Sequence, residues 1–274
     1  DPSQTVILDN FCWGDPREPD RMAGLTRAAA GCYDGAVAFG TPFISGKDSL
    51  NNEYRDAQGN RVAIPPTLLI SALAHVPDVR RTVTMDLKEP GSRIYLIGVT
   101  GADLGGAHAL DAGLVCTPAN LEISVPRVDL AVARRTFVAL HAAIRSGLVR
   151  ACHDLSEGGL AVAAAEMACA GGYGMVLDLR AVLLTDASVG DAEPATLSRS
   201  IRLFAESSSR FLVEIDQQHV SAFEAALTDV PFAPVGRVTA DPKLRIMEGT
   251  DEVLRSDIAT LKAAWQQGLA GLTL

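Results

Sequence analysis

Between residues 19 and 39, Met22, Leu25, Ala29, Cys32, Ala36 and Val37 recur at helical spacing, and Gly40 and Pro42 stop the pattern. Short apolar segments flank it: Thr5 to Leu8 ends at Asp9, and Phe43 to Ser45 ends at Gly46. An amphipathic helix between two strands predicts a βαβ unit. The acidic turn at Asp9 and the glycine-rich turn at Gly46 would then each follow a strand end, where ligands commonly sit in open sheets.

Downstream, a polar turn over 56–60 and an apolar run over 67–76 predict neighbouring strands. The stretch 77–90 carries charges and two prolines, which places a boundary there, dividing the chain into 1–88 and 89–274. The second part opens on a strand at 93–99 and alternates from there: helices over 128–146, 160–170 and 220–227, strands over 176–179, 211–215 and 233–239, and a Ser/Asp/Gly/Pro surface loop over 185–196. Gly171-Gly172 stops the alanine-rich helix. The fold class is therefore α/β (α+β), in two sheet-bearing parts.

Composition narrows the function. Hydrophobic residues make up 48% of the 274, which excludes a disordered chain, and no apolar run reaches the ~18–20 residues that span a bilayer. A formal net charge of −9 argues against nucleic-acid or anionic-membrane partners, because a phosphate backbone is held chiefly by clustered Lys and Arg. A bound phosphate would belong to a small-molecule substrate held locally, with Mg²⁺ offsetting the acids. Cys12, Cys32, Cys116, Cys152 and Cys169 are scattered, odd in number and without a CxxC pair, which reads as reduced thiols in a cytoplasmic protein.

Several residues can carry chemistry. A carboxylate at Asp9 can accept ribose hydroxyls or approach a nucleotide, or it can be an Asx residue satisfying its own turn. Ser45-Gly46-Lys47-Asp48-Ser49 offers glycine for close approach, lysine for charge and serine for hydrogen bonding, yet lacks the GxxxxGK[ST] spacing; the alternative is a plain loop with a solvated Lys47–Asp48 pair. His153-Asp154-Leu155-Ser156-Glu157-Gly158-Gly159 reads either as metal or acid–base machinery or as a helix N-terminus, capped by Ser156 or Asp154 with Glu157 at the positive end. His75, His108, His141 and His219 have no mutual spacing that suggests a metal site.

Three runs, Val6 to Pro16, Ile44 to Glu53 and His153 to Leu160, in this order and spacing resemble the phosphoribosylformylglycinamidine synthase family. More narrowly, they look like the C-terminal half of its synthetase subunit, within the aminoimidazole ribonucleotide synthetase-like superfamily. The resemblance implies ATP-dependent amidation of formylglycinamide ribonucleotide to formylglycinamidine ribonucleotide with glutamine-derived ammonia, with ATP and Mg²⁺ as cofactors. It matches Asp9 and Gly46 to nucleotide-contacting positions and Ser49 to a substrate-contacting serine. Lys47 departs from the Asn that ligates Mg²⁺ in many members. An ammonium cannot ligate a cation, so either Lys47 supplies charge directly or Asp48 takes the metal, and the metal ligand stays unassigned. The family's catalytic histidine belongs to the N-terminal half, so His153 is not that residue; Asp154 and Glu157 fit an auxiliary nucleotide and Mg²⁺ site. Glu206-Ser207-Ser208-Ser209-Arg210 resembles the substrate-recognising run of the N-terminal half, in degenerate form.

By the same resemblance, about a hundred residues that complete the first domain lie upstream. The start at Asp1 without Met agrees with a fragment, expected to be inactive alone, whose residues 1–88 form an incomplete domain able to self-associate as a homodimer through exposed strand edges. The implied partners are the N-terminal half of the enzyme and a glutaminase domain or subunit supplying ammonia. Alternatives are a scaffold half-domain holding a structural nucleotide, or another superfamily member: aminoimidazole ribonucleotide synthetase, selenophosphate synthetase or thiamine-phosphate kinase.

Overall fold

The structure is a computed structural model describing residues 2–115, 125–185 and 195–268. The chain divides into two compact units, 1–79 and 80–274. The division falls before the expected 88/89 because residues 80–88 belong physically to the second unit. Thr84 bridges Ala151, and Leu87 is buried in the second unit's core.

The first unit contains β1 (Thr5–Cys12), α1 (Pro19–Phe39), β2 (Phe43–Ser49), the hairpin β3 (Glu53–Arg55) and β4 (Arg61–Ala63), and β5 (Thr67–Ala74). The expected βαβ unit is present: α1 ends where Gly40 adopts φ 70° and returns its N–H to the Ala36 carbonyl, and β1 pairs parallel with β2. β5 pairs antiparallel on the other side of β1, giving the order β2-β1-β5 and leaving β2 and β5 as edges.

The sequence placed Asp9 and Gly46 in turns; both lie inside strands. β1 continues to Cys12 and β2 to Ser49, with Asp9 opposite Gly46 and Cys12 opposite Ser49. Asp and Gly are poor strand formers, but ladder hydrogen bonds to β1 carry the polar end of β2 as an extended chain.

The second unit is built on a seven-stranded mixed sheet, β12-β11-β8-β10-β6-β9-β7. In chain order its elements are β6 (Arg93–Ile97), α2 (His108–Asp111), α3 (Leu130–Arg145), β7 (Ala151–Asp154), α4 (Gly159–Gly171), β8 (Gly174–Asp178), α5 (Ala195–Phe204), β9 (Phe211–Ile215), α6 (Val220–Ala226), β10 (Phe232–Thr239), β11 (Lys243–Glu248), β12 (Asp251–Asp257) and α7 (Ile258–Gln267). Only β11 and β8 pair in parallel among the described strands of this sheet.

Strand alternation splits its core in two. Ile94, Leu96, Met175 and Leu177 pack with Leu160, Ala164 and Met167 of α4. Tyr95, Ile97, Val213 and Ile215 point the other way, against Leu140 of α3 and Phe223 of α6. The chain is α+β in class. The expected surface loop at 185–196 lies largely outside the described residues, and its last two positions already belong to α5.

Candidate functional site

In the first unit the register decides which side chains meet. Positions opposite one another in paired strands share a face, so Asp9, Gly46, Phe11 and Asp48 lie on one side of the sheet, and Asn10, Lys47, Cys12 and Ser49 on the other. α1 lies over the Asp9 side: Trp13 donates its indole N–H to the Arg21 carbonyl at 3.0 Å and forms a tilted ring pair with Phe11. Cys32 of α1 has its thiol pKa raised by burial and then by the Asp9 charge. The opposite face is open, with Leu69 and Leu73 both more than half exposed.

Asp9 and Gly46 are in direct contact. A Cβ on Gly46 would fall 2.2 Å from Asp9 Oδ1 and 2.6 Å from its Cγ, so glycine is what lets the carboxylate lie across β2. The Asp9 carboxylate is half-buried and has no hydrogen bond or ion pair among the described residues; Lys47 and Asp48 are exposed and likewise have none. The two sides of the expected cradle are thus separated. Asp9, Gly46 and Asp48 face α1, whereas Lys47 and Ser49 face the open side. An extended strand alternates its N–H groups and cannot wrap a phosphate as a nest of successive amides would.

Mg²⁺ is ordinarily held by one or two carboxylates together with waters and ligand phosphates. Asp9 of β1 and Asp48 of β2, on one face and two register positions apart, meet that requirement in donor type. Among the described residues, no group of three His, Cys, Asp or Glu is positioned to hold a metal unaided.

Sequence reasoning missed the charge network that fixes the turn after β1. Asp15 is buried and accepts from Arg17 and, at 2.8 Å, from Arg61; Glu53 accepts from Arg21 at 2.8 Å and from Arg61. Hydrogen bonds from Arg17 and Arg61 hold the Asp15 carboxyl well below its usual range. These arginines are committed to acids, which makes the network a clasp for the β3–β4 hairpin. Two of its links, Arg61 to Asp15 and Arg21 to Glu53, join residues dozens of positions apart, beyond the reach of local pattern.

In the second unit, His153 and Asp154 end β7, with His153 Nε2 2.8 Å from Glu166 and Nδ1 3.5 Å from Asp154. The expected capping of the following helix is corrected. Neither Ser156 nor Asp154 caps α4 through its side chain; the N-cap is Gly158 at φ 78°, whose N–H donates to Glu206 Oε1 at 2.8 Å. The same oxygen accepts from the His108 N–H at 3.1 Å, so one carboxylate joins two glycine-rich loops at the positive end of α4. Glu157 is exposed beside this turn.

The 206–210 run is a structural hub. Ser207 accepts the Gly101 N–H at 2.9 Å, and buried Arg210 donates to Thr100 Oγ1 and to the Ser207 and Ala205 carbonyls. Burial pushes the Arg210 guanidinium down to about 10.

Comparisons with known proteins add to this geometry. The family model described as "AIR synthase related protein, C-terminal domain" matches residues 89–248. The chain is 34% identical over 270 residues to the phosphoribosylformylglycinamidine synthase subunit PurL of Deinococcus radiodurans, covering 97% of this chain and 34% of that protein. The chain therefore spans about a third of the length of the curated relatives it matches. Thermotoga maritima PurL complexed with FGAR superposes with a TM-score of 0.70 at 20% identity, over 95% of this chain and 40% of that one. The same protein complexed with ATP gives 0.64 at 20% identity, over 95% and 38%. At that identity the structures establish a shared fold.

Proposed function

Because the chain belongs to the AIR synthase related family, through a match spanning most of its second unit, we propose that it forms the C-terminal part of a phosphoribosylformylglycinamidine synthase. The observation that carries this reading is the half-buried Asp9 carboxylate lying on Gly46 with no hydrogen bond or ion pair among the described residues. The curated PurL relatives support it, as does the likeness in fold to a PurL complexed with ATP.

In this reading Asp9 and Gly46 contact the nucleotide, and Mg²⁺, bound with ATP, neutralises phosphate charge. Asp48, on the same face, is placed to share in holding the ion. Lys47 and Ser49 serve the substrate from the open face, Lys47 as a point charge toward phosphate and Ser49 as a hydrogen-bonding hydroxyl. β2 is an edge strand, so its free edge is where groups on the two faces can approach one another. The parent reaction transfers the terminal phosphoryl group of ATP to the amide oxygen of formylglycinamide ribonucleotide, and ammonia from glutamine then displaces phosphate.

The catalytic histidine and the other wall of the cleft come from an N-terminal half, and a glutaminase domain or subunit supplies the ammonia, in the cytoplasm. No helix among the described residues is long and apolar enough to cross a membrane. Asp154 and Glu157 would serve an auxiliary nucleotide. The chain alone is inactive in this account: with formylglycinamide ribonucleotide, ammonia and ATP it yields no ADP above background. In the full-length enzyme, Ser49→Ala raises KM for formylglycinamide ribonucleotide. Unchanged kinetics in that variant would overturn the role of Ser49.

A further inference from the structure

The first turn of the second unit packs against the C-terminal end of α3 and encloses a cleft of about 390 Å³, within the ~300–1,000 Å³ typical of small-molecule sites. Four arginines line it, Arg80, Arg81, Arg145 and Arg150, together with Thr82 and Ser146, and no carboxylate is in the lining. In a chain of net charge −9 this is a local reversal of sign. Like charges gathered in a concave surface repel one another and focus a positive field outward, toward an anion.

Two of the guanidiniums are held in place. Arg81 donates to the Arg145 carbonyl at 2.8 Å, satisfying a helix-terminal oxygen and offsetting the negative end of α3. Arg150 is gripped by Glu89 and Asp216, which lie outside the lining and raise its pKa through the Asp216 hydrogen bond. Each uses only part of its five-donor fork. Arg145 has no acid paired with it among the described residues, so its whole fork is available. Fixed forks with free N–H groups match the bidentate geometry of phosphate oxygens.

We propose that this cleft binds a small polyphosphate anion, free or carried on a nucleotide, at a site separate from Asp9. The two sites draw on different units of the chain, so their variants report independently.

The test is isothermal titration of the chain with sodium tripolyphosphate, with ATP, and with sodium sulfate as a charge control, repeated on Arg145→Gln, Arg81→Gln and Asp9→Ala. Saturable tripolyphosphate binding is expected, weakened at least ~10-fold by Arg145→Gln, the loss of one charge-assisted contact, and unchanged by Asp9→Ala. It should also weaken as salt rises. Equal affinities for tripolyphosphate and ATP would assign recognition to the phosphate chain; tighter ATP binding that also falls with Arg145→Gln would assign part of it to the nucleoside. No saturable tripolyphosphate binding, or binding indifferent to both arginine variants, overturns the proposal. Arg145 makes no side-chain pair among the described residues, so an unaltered melting curve for Arg145→Gln separates lost binding from lost folding.

Discussion

Replacing Gly46 by alanine tests the Asp9–Gly46 contact through energy. On an unobstructed strand the change should stabilise the fold by about 0.5–1 kcal/mol, because glycine loses more conformational freedom on folding. Here the new methyl would arrive 2.2 Å from Asp9 Oδ1, with Cγ and Oδ2 both at 2.6 Å, far inside contact distance. The whole carboxylate must turn away, and Asp9 has only short side-chain torsions with which to do so. Displacement from its rotamer costs about 0.5–1.5 kcal/mol, so Gly46→Ala should be near neutral or destabilising by up to ~1 kcal/mol in the native background. With Asp9→Ala already present the obstruction is gone, and the same change should stabilise. The glycine gain cancels between the two backgrounds, so the expected coupling is the displacement cost itself, ~0.5–1.5 kcal/mol, within the range for residues in contact. Urea denaturation of the four proteins of the cycle, with m-values checked for constancy, measures it. Equal effects of Gly46→Ala in both backgrounds would refute the contact and, with it, the placement of the carboxylate on β2.

Three further outcomes follow from the second unit and from the clasp of the first. Gly159→Ala puts a side chain at φ 61° with its Cβ 2.5 Å from the Ala205 carbonyl oxygen, so it should cost at least ~2 kcal/mol and lower Tm by roughly 4–8 °C in calorimetry; a change under 1 °C would contradict this. Burial, with a smaller contribution from Asp154, pushes the Cys152 thiol up to about 12, so it should resist iodoacetamide at pH 8 in the folded chain and react on unfolding; the raised value also means stability falls as pH climbs above the ordinary thiol value toward 12. The Asp15 carboxyl is held low by Arg17 and Arg61, so its contribution is fully present above the ordinary value of 3.8 and is lost as pH falls below it. Asp15→Asn should flatten the acid limb of a pH–stability curve, and an unaltered limb would contradict the clasp.

What the sequence disclosed, and what it hid, follows from locality. α1 was legible to its ends because a 3.6-residue pattern, Pro19 at its start and Gly40 at its stop are all local signals. β9 was legible as a bounded run of β-formers. The continuation of β1 and β2 through Asp9 and Gly46 was not, because neighbouring strands hold those residues extended against their own propensity. That error mattered for the site: two turns at strand ends would gather all five candidate side chains, whereas a strand pair sorts Asp9, Gly46 and Asp48 from Lys47 and Ser49. The helix expected over 160–170 was present as α4, but its N-cap is Gly158, whose N–H is held by Glu206, almost fifty residues away, a partner that local capping rules cannot find. The C-terminal elements β11, β12 and α7 went unread, as did α5 beside the loop at 185–196.

The central claim is that Asp9 on Gly46 marks a nucleotide site. It is tested most directly by titrating ATP, with and without Mg²⁺, into the Arg145→Gln chain, where the proposed arginine cleft is disabled, and then into the same background carrying Asp9→Ala or Asp154→Ala. The account predicts two Mg²⁺-dependent components, one that Asp9→Ala abolishes and Asp154→Ala leaves in place, and an auxiliary one that responds the other way. A titration unchanged by Asp9→Ala, or no binding in the Arg145→Gln chain at all, would contradict it.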